Sequence, residues 1–165
     1  MTPAYLVKLL RQMINDEQAT GFVENGNLEE PDGTSELICY LDRAIDEYCK
    51  VQTSKNDLRL LKRITAINNQ KLPDDFLGFC GSVPINIESG RMEFYGSNQV
   101  LPVRYFARLP YVSSFNDNDT LPYERDQAID IATLASVYAL NKHEYNVTQD
   151  LALLGMGGGN GSLQR

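Results

Sequence analysis

The chain has 165 residues, of which 42% are apolar and 22% are charged, so its length and composition suit one soluble globular domain. Its formal net charge of −7 argues against a general nucleic-acid-binding protein, because such proteins present a basic surface to phosphate. No apolar run approaches the roughly 20 residues that a membrane-spanning helix requires. The first residues lack the pattern of a secretion signal, so we expect the protein to stay in the compartment where it is made.

The charge is distributed unevenly along the chain. Residues 1–54 carry four Lys/Arg against ten Asp/Glu, residues 55–108 carry eight against five, and residues 109–165 carry three against seven. A basic middle between acidic flanks suits copies or partners that meet acidic face to basic face. A chance distribution explains the same pattern and stays open as the alternative.

Two amphipathic helices are predicted in the first third of the chain. The first follows Thr2, a suitable N-cap, and ends near Asn15. Its apolar stripe comprises Leu6, Leu9, Leu10 and Met13. A loop at 17–33 precedes a second helix at about 34–53, whose apolar face comprises Leu37, Leu41, Ala44, Ile45 and Tyr48. The polar side of that helix includes Asp42, Asp46 and Glu47.

A β-section is predicted at about 72–109, where the apolar residues begin to alternate. Residues 58–68, just before it, are ambiguous between helix and strand, and a short strand is favoured at their end. Alternating residues on either side of a turn at 88–91 predict a β-hairpin, and a third strand follows at about 100–109. Pro84 and Pro102 indicate edge positions or strand starts.

A third long helix is predicted from Pro122 to about Lys142, with Asp119 or Thr120 as its N-cap. Because it is apolar on nearly all sides, we expect it at the centre of the domain. A short helix at 148–154 and a glycine-rich end follow. The predicted fold is mostly α with a small antiparallel β insertion, in a single domain over residues 1–154, followed by a flexible tail at 155–165.

Two segments invite a ligand-binding interpretation, and neither fits. The glycine run at 155–161 follows a helix, opens into none and lacks the Lys-Ser/Thr of a phosphate loop. Asp117 and Asp119 alternate as calcium ligands do, but the glycine and glutamate of an EF-hand loop are missing.

The sequence also contains no recognisable motif for a catalytic nucleophile or for a metal site. Cys39, Cys49 and Cys80 form no CxxC pair, and we expect them to be buried free thiols. His143 lies near a helix end, where a histidine usually serves the helix dipole or faces solvent. We therefore expect no enzymatic activity, no metal and no cofactor.

Phe106 is the strongest sequence candidate for an interface residue. It alternates with Arg104 and Arg108 on the strand face opposite the apolar residues, and aromatic residues and arginines are enriched at interface centres. A sheet that is buried on both sides within one chain explains the pattern as well and stays open. The candidate interface residues are Arg91, Arg104, Phe106, Arg108, Asp42, Asp46 and Glu47. The residues expected to become ordered against a partner in the tail are Gly155, Met156, Gly157, Gly158 and Gly159.

Three stretches of the chain carry a family resemblance. Residues 72–77 read LPDDFL, residues 103–110 read VRYFARLP, and a loop rich in Asn, Asp and Thr leads through Leu121-Pro122 into an alanine-rich helix. In order and spacing these stretches resemble the "LP-x-D-F-L" and "Y-x-A-R-x-P" phrases of the head-to-tail adaptor (connector or neck) proteins of tailed bacteriophages. The resemblance covers roughly residues 72–142.

The resemblance implies a virion structural protein at the head–tail junction, made in the host cytoplasm. Copies would form a homo-oligomeric ring of twelve under the portal protein and contact the tail tube, the nozzle or further neck proteins. The ring would extend the DNA channel without binding DNA specifically or touching a membrane. From the residues alone, a small helical protein-binding or regulatory module remains the alternative.

Overall fold

A computed structural model describes residues 1–15, 34–96 and 100–141 of the chain. Within these residues the fold is mixed α/β, with three α-helices and two three-stranded antiparallel sheets. The helices are α1 (Pro3–Met13), α2 (Thr34–Ser54) and α3 (Arg125–Asn141). The strands are β1 (Leu61–Ile67), β2 (Gln70–Lys71), β3 (Phe76–Phe79), β4 (Ile85–Glu88), β5 (Arg91–Phe94) and β6 (Val100–Ala107). Short 3₁₀ helices occupy Leu58–Leu60 and Val112–Ser114.

The chain divides into two compact units, one formed by residues 1–48 and 111–165 and the other by residues 49–110. The first unit contains α1, α3 and most of α2, and the second contains both sheets and the end of α2. The predicted loop at 17–33, the helix end at Lys142, His143, the short helix at 148–154 and the tail at 155–165 lie outside the described residues. No helix in the described ranges is both long enough and apolar enough to cross a bilayer.

The first two helices lie where the sequence predicts them. Thr2 caps α1, because its hydroxyl accepts the Tyr5 N–H at 3.3 Å, and α1 packs on α3. In α1, Leu6 and Leu10 are fully buried. The predicted apolar face of α2 is confirmed, since these residues are fully buried: Leu37, Leu41, Ala44, Ile45 and Tyr48.

The third helix begins at Arg125 rather than at Pro122. Glu124 occupies the cap position, where its N–H donates to Oε1 of Gln127 at 2.9 Å, one half of a capping box. The prediction that Asp119 caps the helix is wrong, because its Oδ2 instead accepts the Asn116 N–H at 2.8 Å within a turn. From residue 131 to residue 139 the helix is buried on nearly every side, as predicted for a central helix.

The first sheet has the strand order β1-β6-β3, and its long β1–β6 pairing determines which side chains face inward. The antiparallel register runs from Leu61 opposite Phe106 to Ile67 opposite Val100. The strand β3 pairs only with residues 105–107 at the far end of β6. Pro102 therefore lies in the central strand at a point where β1 is its only partner strand, which explains how the sheet tolerates a proline there.

The second sheet has the order β2-β5-β4 and contains the predicted hairpin. Ser89 and Gly90 connect β4 to β5 with φ angles of +49° and +75°, the left-handed pair that a two-residue hairpin turn requires. Both sheets contribute to one hydrophobic cluster, whose buried members are Ala66, Ile85, Met92 and Val103.

The predicted combination of helices with an antiparallel β-section is confirmed, but the β content is larger than a hairpin and one further strand. The sequence places the β-section at about 72–109, whereas the strands begin at Leu61. Residues 58–68 mix Leu, Lys and Arg, which favour helices, with Ile and Thr, which favour strands. Pairing with β6 over seven residues decides in favour of the strand.

Asp75 connects three segments of the second unit. Its Oδ2 lies 2.6 Å from Nζ of Lys62, its Oδ1 accepts the Tyr105 hydroxyl at 3.1 Å, and its carbonyl accepts the Arg108 N–H at 2.7 Å. Burial and this hydrogen bond raise the pKa of Tyr105 to about 12. The protonated phenol is thus the form that the fold stabilises.

We predict that Tyr105→Phe lowers the free energy of unfolding by about 1 kcal/mol near neutral pH, the usual net value of a partly buried hydrogen bond. Because the folded pKa is raised above the unfolded one, this contribution is complete below about pH 10 and declines as the pH rises through about 12. Urea unfolding at neutral and alkaline pH measures both effects. Tyr95→Phe is the matched control, since Tyr95 is 66% exposed. Equal losses in the two variants would contradict the role assigned to Asp75.

Candidate functional site

Two of the predicted interface acids on α2 are occupied within the chain. Oδ1 of Asp42 accepts the N–H groups of Val112 and Ser113 at 2.7 and 3.4 Å. Both carboxylate oxygens of Asp46 lie within hydrogen-bonding distance of the Tyr111 hydroxyl, at 2.9 and 3.1 Å. The expectation that Asp42 and Asp46 lie on a free polar side is therefore wrong, because the chain at 111–113 binds there.

The remaining predicted interface residues have different surroundings. Glu47 and Arg108 are half-buried, and Arg91 is exposed but donates from Nη1 to the Asn69 carbonyl at 2.9 Å. Arg104 is exposed, as expected. Phe106 is only 3% exposed, so the expectation that it lies on a free face is wrong.

The error at Phe106 has a simple physical origin. Alternation correctly places Phe106 on the same side of β6 as Arg104. That side of the sheet is covered at the end where Phe106 lies opposite the half-buried Leu61. It is exposed at the following pairs on the same side, beginning with Arg63 and Arg104. Sequence alternation distinguishes the two faces of a strand but not how far along the strand a face is covered.

The uncovered part of this side is the candidate functional site, and we call it the open sheet face. Its six residues form three directly opposed pairs in the β1–β6 register, and all six are exposed: Arg63 with Arg104, Thr65 with Pro102, and Ile67 with Val100. A shallow depression of about 430 Å³ lies here, lined by residues 63–65 and 102–104.

The arginine pair does not stabilise the fold. Like charges that are directly opposite in an antiparallel sheet destabilise it by roughly 0.2–1 kcal/mol. In the described ranges neither the Arg63 nor the Arg104 side chain has a hydrogen bond, an ion pair or a ring contact that would offset this cost. Two guanidinium groups side by side have the chemistry to bind carboxylates, through charge and paired N–H donors.

Two apolar residues lie on the same face as the arginines, beyond the Thr65–Pro102 pair. Ile67 and Val100 are opposite one another and are 50% and 55% exposed, although both belong to a paired strand. Arginine is enriched at protein interfaces, and exposed apolar side chains on the same face add area that a partner could bury. The arrangement can dock another macromolecule.

Residue 63 and the apolar pair were missed by the sequence reasoning, for one reason. Arg63 and Ile67 lie in the stretch that was ambiguous between helix and strand, so the alternation Arg63, Thr65, Ile67 could not be assigned to a sheet face. The sequence signal that could have indicated this face is the presence of arginines at 63 and 104 in a chain with a net negative charge.

The surroundings of the other residues considered for chemistry are as follows in the described ranges. No group of three or more His, Cys, Asp or Glu side chains in the described ranges could hold a metal ion. Cys49 is a buried free thiol as predicted, whereas Cys39 is exposed and Cys80 is half-buried. Asp74 lies next to the site's sheet on the surface, where its hydrogen bond to Lys71 at 2.8 Å holds the pKa of its carboxyl below the usual range.

Comparison of the chain with protein-family models, with curated proteins and with solved structures gave no significant match.

We predict that Phe106→Ala lowers the free energy of unfolding by about 3–5 kcal/mol, the usual cost of truncating a buried phenylalanine. Arg104→Gln, on the same side of the same strand, is expected to leave stability unchanged or to raise it slightly, because it removes a like-charge pair. Urea unfolding of the two variants beside the wild type makes the comparison. A Phe106→Ala variant as stable as the wild type would contradict the burial of this residue.

Proposed function

We propose that the chain is a head-to-tail adaptor of a tailed bacteriophage, a virion structural protein that forms a ring between the portal and the tail and extends the DNA channel. The observation that carries the proposal is the open sheet face. It unites an unneutralised arginine pair with exposed apolar residues, and the fold of the single chain gains nothing from it. Such a face is useful to a protein whose work is assembly.

The stretches that resemble the adaptor family also fit together as one packing unit. Asp75 belongs to the LPDDFL stretch, and its partners Tyr105 and Arg108 belong to the VRYFARLP stretch. The rings of Phe76 and Tyr105, one from each stretch, stack with their centroids 5.8 Å apart. A pair of sequence phrases that contact each other is stronger support for a shared fold than two unrelated matches.

The charges of the two units suit a channel protein. Residues 49–110 carry nine Lys/Arg against five Asp/Glu, and the rest of the chain carries six against seventeen, so the net charges are +4 and −11. An acidic inner wall repels phosphate and lets DNA pass without adhering. The basic β-section is left to contact protein partners.

In this function the mechanism is geometric. Each copy makes the same heterologous contact with its neighbour, and the rotation closes a ring. The family resemblance implies twelve copies, matching the portal, with the tail tube, nozzle or further neck proteins bound on the other side. The protein then acts at the head–tail junction of the virion, needs no cofactor and has no enzymatic activity.

We predict that the wild-type protein co-sediments as a stoichiometric complex with the portal protein encoded in the same genome. Arg104→Glu should weaken this complex by about tenfold or more, because it reverses one charge of the arginine pair and so impairs the side-by-side contacts that close the ring on the portal. Lys8→Glu is the control, since Lys8 is an exposed cation of α1 with the same change in net charge. Co-expression followed by sedimentation and electron microscopy gives the readout.

A wild-type protein that stays monomeric and never binds the portal would contradict the adaptor function. A binding partner that instead responds to Lys8→Glu would favour the alternative, a small helical protein-binding or regulatory module. The observation that favours this alternative is a groove of about 230 Å³ along α1, which Lys8 lines with Ala4, Val7, Arg11 and Gln12.

A further inference from the structure

The second sheet carries an exposed polar face with excess negative charge. The outward residues of the β4–β5 hairpin pair Asn86 with Glu93 and Glu88 with Arg91, and all four are exposed. We call this surface the hairpin face. Arg91 donates to the neutral Asn69 carbonyl and keeps its positive charge, so the face carries two carboxylates against one guanidinium.

Glu88 and Glu93 differ from nearly all other described acids. Most carboxylates in the described ranges have a hydrogen-bond, ion-pair or electrostatic partner within the chain. In those ranges the exceptions are Glu88, Glu93 and Asp117. Of these, only Glu88 and Glu93 share one face of the hairpin, where Arg91 lies directly opposite Glu88 without forming an ion pair with it in the described ranges.

The basic side chains can be divided in the same way, into those with and those without a partner within the chain. Across the described ranges, the cations without a partner are Lys8, Lys55, Arg63, Arg104 and Arg125. Among them, only Arg63 and Arg104 are placed side by side by a strand register. One chain thus presents two guanidinium groups without an ion pair on one sheet and two carboxylates without an ion pair on the other, within the described ranges.

The spacings of the two pairs are compatible. Directly opposed residues such as Arg63 and Arg104 have Cα atoms about 4.5–5.5 Å apart. Glu88 and Glu93 are diagonal neighbours across β4 and β5, which places them about 7–8 Å apart. The long arginine side chains can span the difference and form two ion pairs at once.

We propose that the open sheet face is the docking site for a second copy of this chain, and that Glu88 and Glu93 of that copy supply the carboxylates. This rests on the proposed function in one respect, that copies associate side by side. The contact is heterologous, since each copy offers the basic face to one neighbour and the acidic face to the other. Ile67 and Val100 add apolar area beside the ion pairs.

Charge favours a second copy over nucleic acid as the occupant. The chain as a whole has a net charge of −7, so a long polyanion would be repelled by most of its surface. Two arginines neutralise few phosphates, whereas they match the two carboxylates of the hairpin face in number. Exposed ion pairs contribute little each, so the free protein should associate weakly and in a salt-dependent manner.

Charge reversal in two complementary variants tests the proposal. One variant reverses the basic face (Arg63→Glu with Arg104→Glu), and the other reverses the acidic face (Glu88→Arg with Glu93→Arg). Each is examined by sedimentation velocity at high protein concentration and low ionic strength, alone and mixed with the other. Circular dichroism first establishes that each variant is folded. Lys8→Glu with Arg125→Glu is the control, since it changes the net charge of the chain as much as the basic reversal does.

The proposal expects self-association of the wild type to weaken about tenfold or more in each reversal variant, because two pairs are lost and repulsions replace them. An equimolar mixture of the two variants should restore association. The glutamates introduced in one variant then meet the arginines introduced in the other, and the native arginines of the second meet the native glutamates of the first. A variant with both faces reversed should associate as the wild type does. The control should associate as the wild type does.

Other outcomes overturn the proposal and identify what is wrong. A mixture that stays as weak as its components would exclude the hairpin face as the counterpart. Unchanged self-association of the basic reversal, together with lost portal binding, would assign the open sheet face to the portal and leave the adaptor function intact. Lost binding of a DNA duplex in that variant, with self-association unchanged, would assign the face to nucleic acid. A wild type without any self-association, yet bound to the portal, would refute the proposal alone.

Discussion

The antiparallel pairing of β1 with β6 is the constraint on which the account depends. Its seven-residue register places Ala66 and Val103 in the core and Arg63 and Arg104 on the opposite side. A slip of one residue would exchange the two sides and bury the arginines, so the core enforces the register. The exposed arginine pair is therefore a fixed feature of the fold, held in place by the residues behind it.

Acidic side chains divide into two groups by what they do in the folded chain. Asp42, Asp46 and Asp75 hold segments that are distant in sequence, each through hydrogen bonds to backbone N–H groups, hydroxyls or a lysine. Glu88 and Glu93 hold nothing in the described ranges. The difference separates acids that build each unit from the two that we propose to bind a second copy, which lie on the hairpin rather than on α2.

Helix positions and the hairpin could be predicted because local signals determine them: the Thr2 cap, the apolar face of α2 and the left-handed turn at Ser89-Gly90. A short strand was favoured at the end of residues 58–68, but the full length of β1 could not be predicted, because its helix-favouring and strand-favouring residues balance and a partner almost forty residues away in sequence decides. Among the predicted interface residues, Arg104 is exposed as expected, and its contact with a partner stays a prediction. Phe106, Asp42 and Asp46 do not lie on a free surface as expected, because tertiary contacts cover surfaces that periodicity leaves polar or exposed.

Hydroxyl-radical footprinting of the free and the assembled protein tests the central claim, that the open sheet face is an assembly surface. Ile67 and Val100 are about half exposed in the single chain and should be oxidised readily there. The account predicts that both become several-fold less reactive in the assembled ring, while the buried Phe106 is unreactive in both states. Equal reactivity of Ile67 and Val100 before and after assembly would contradict the claim.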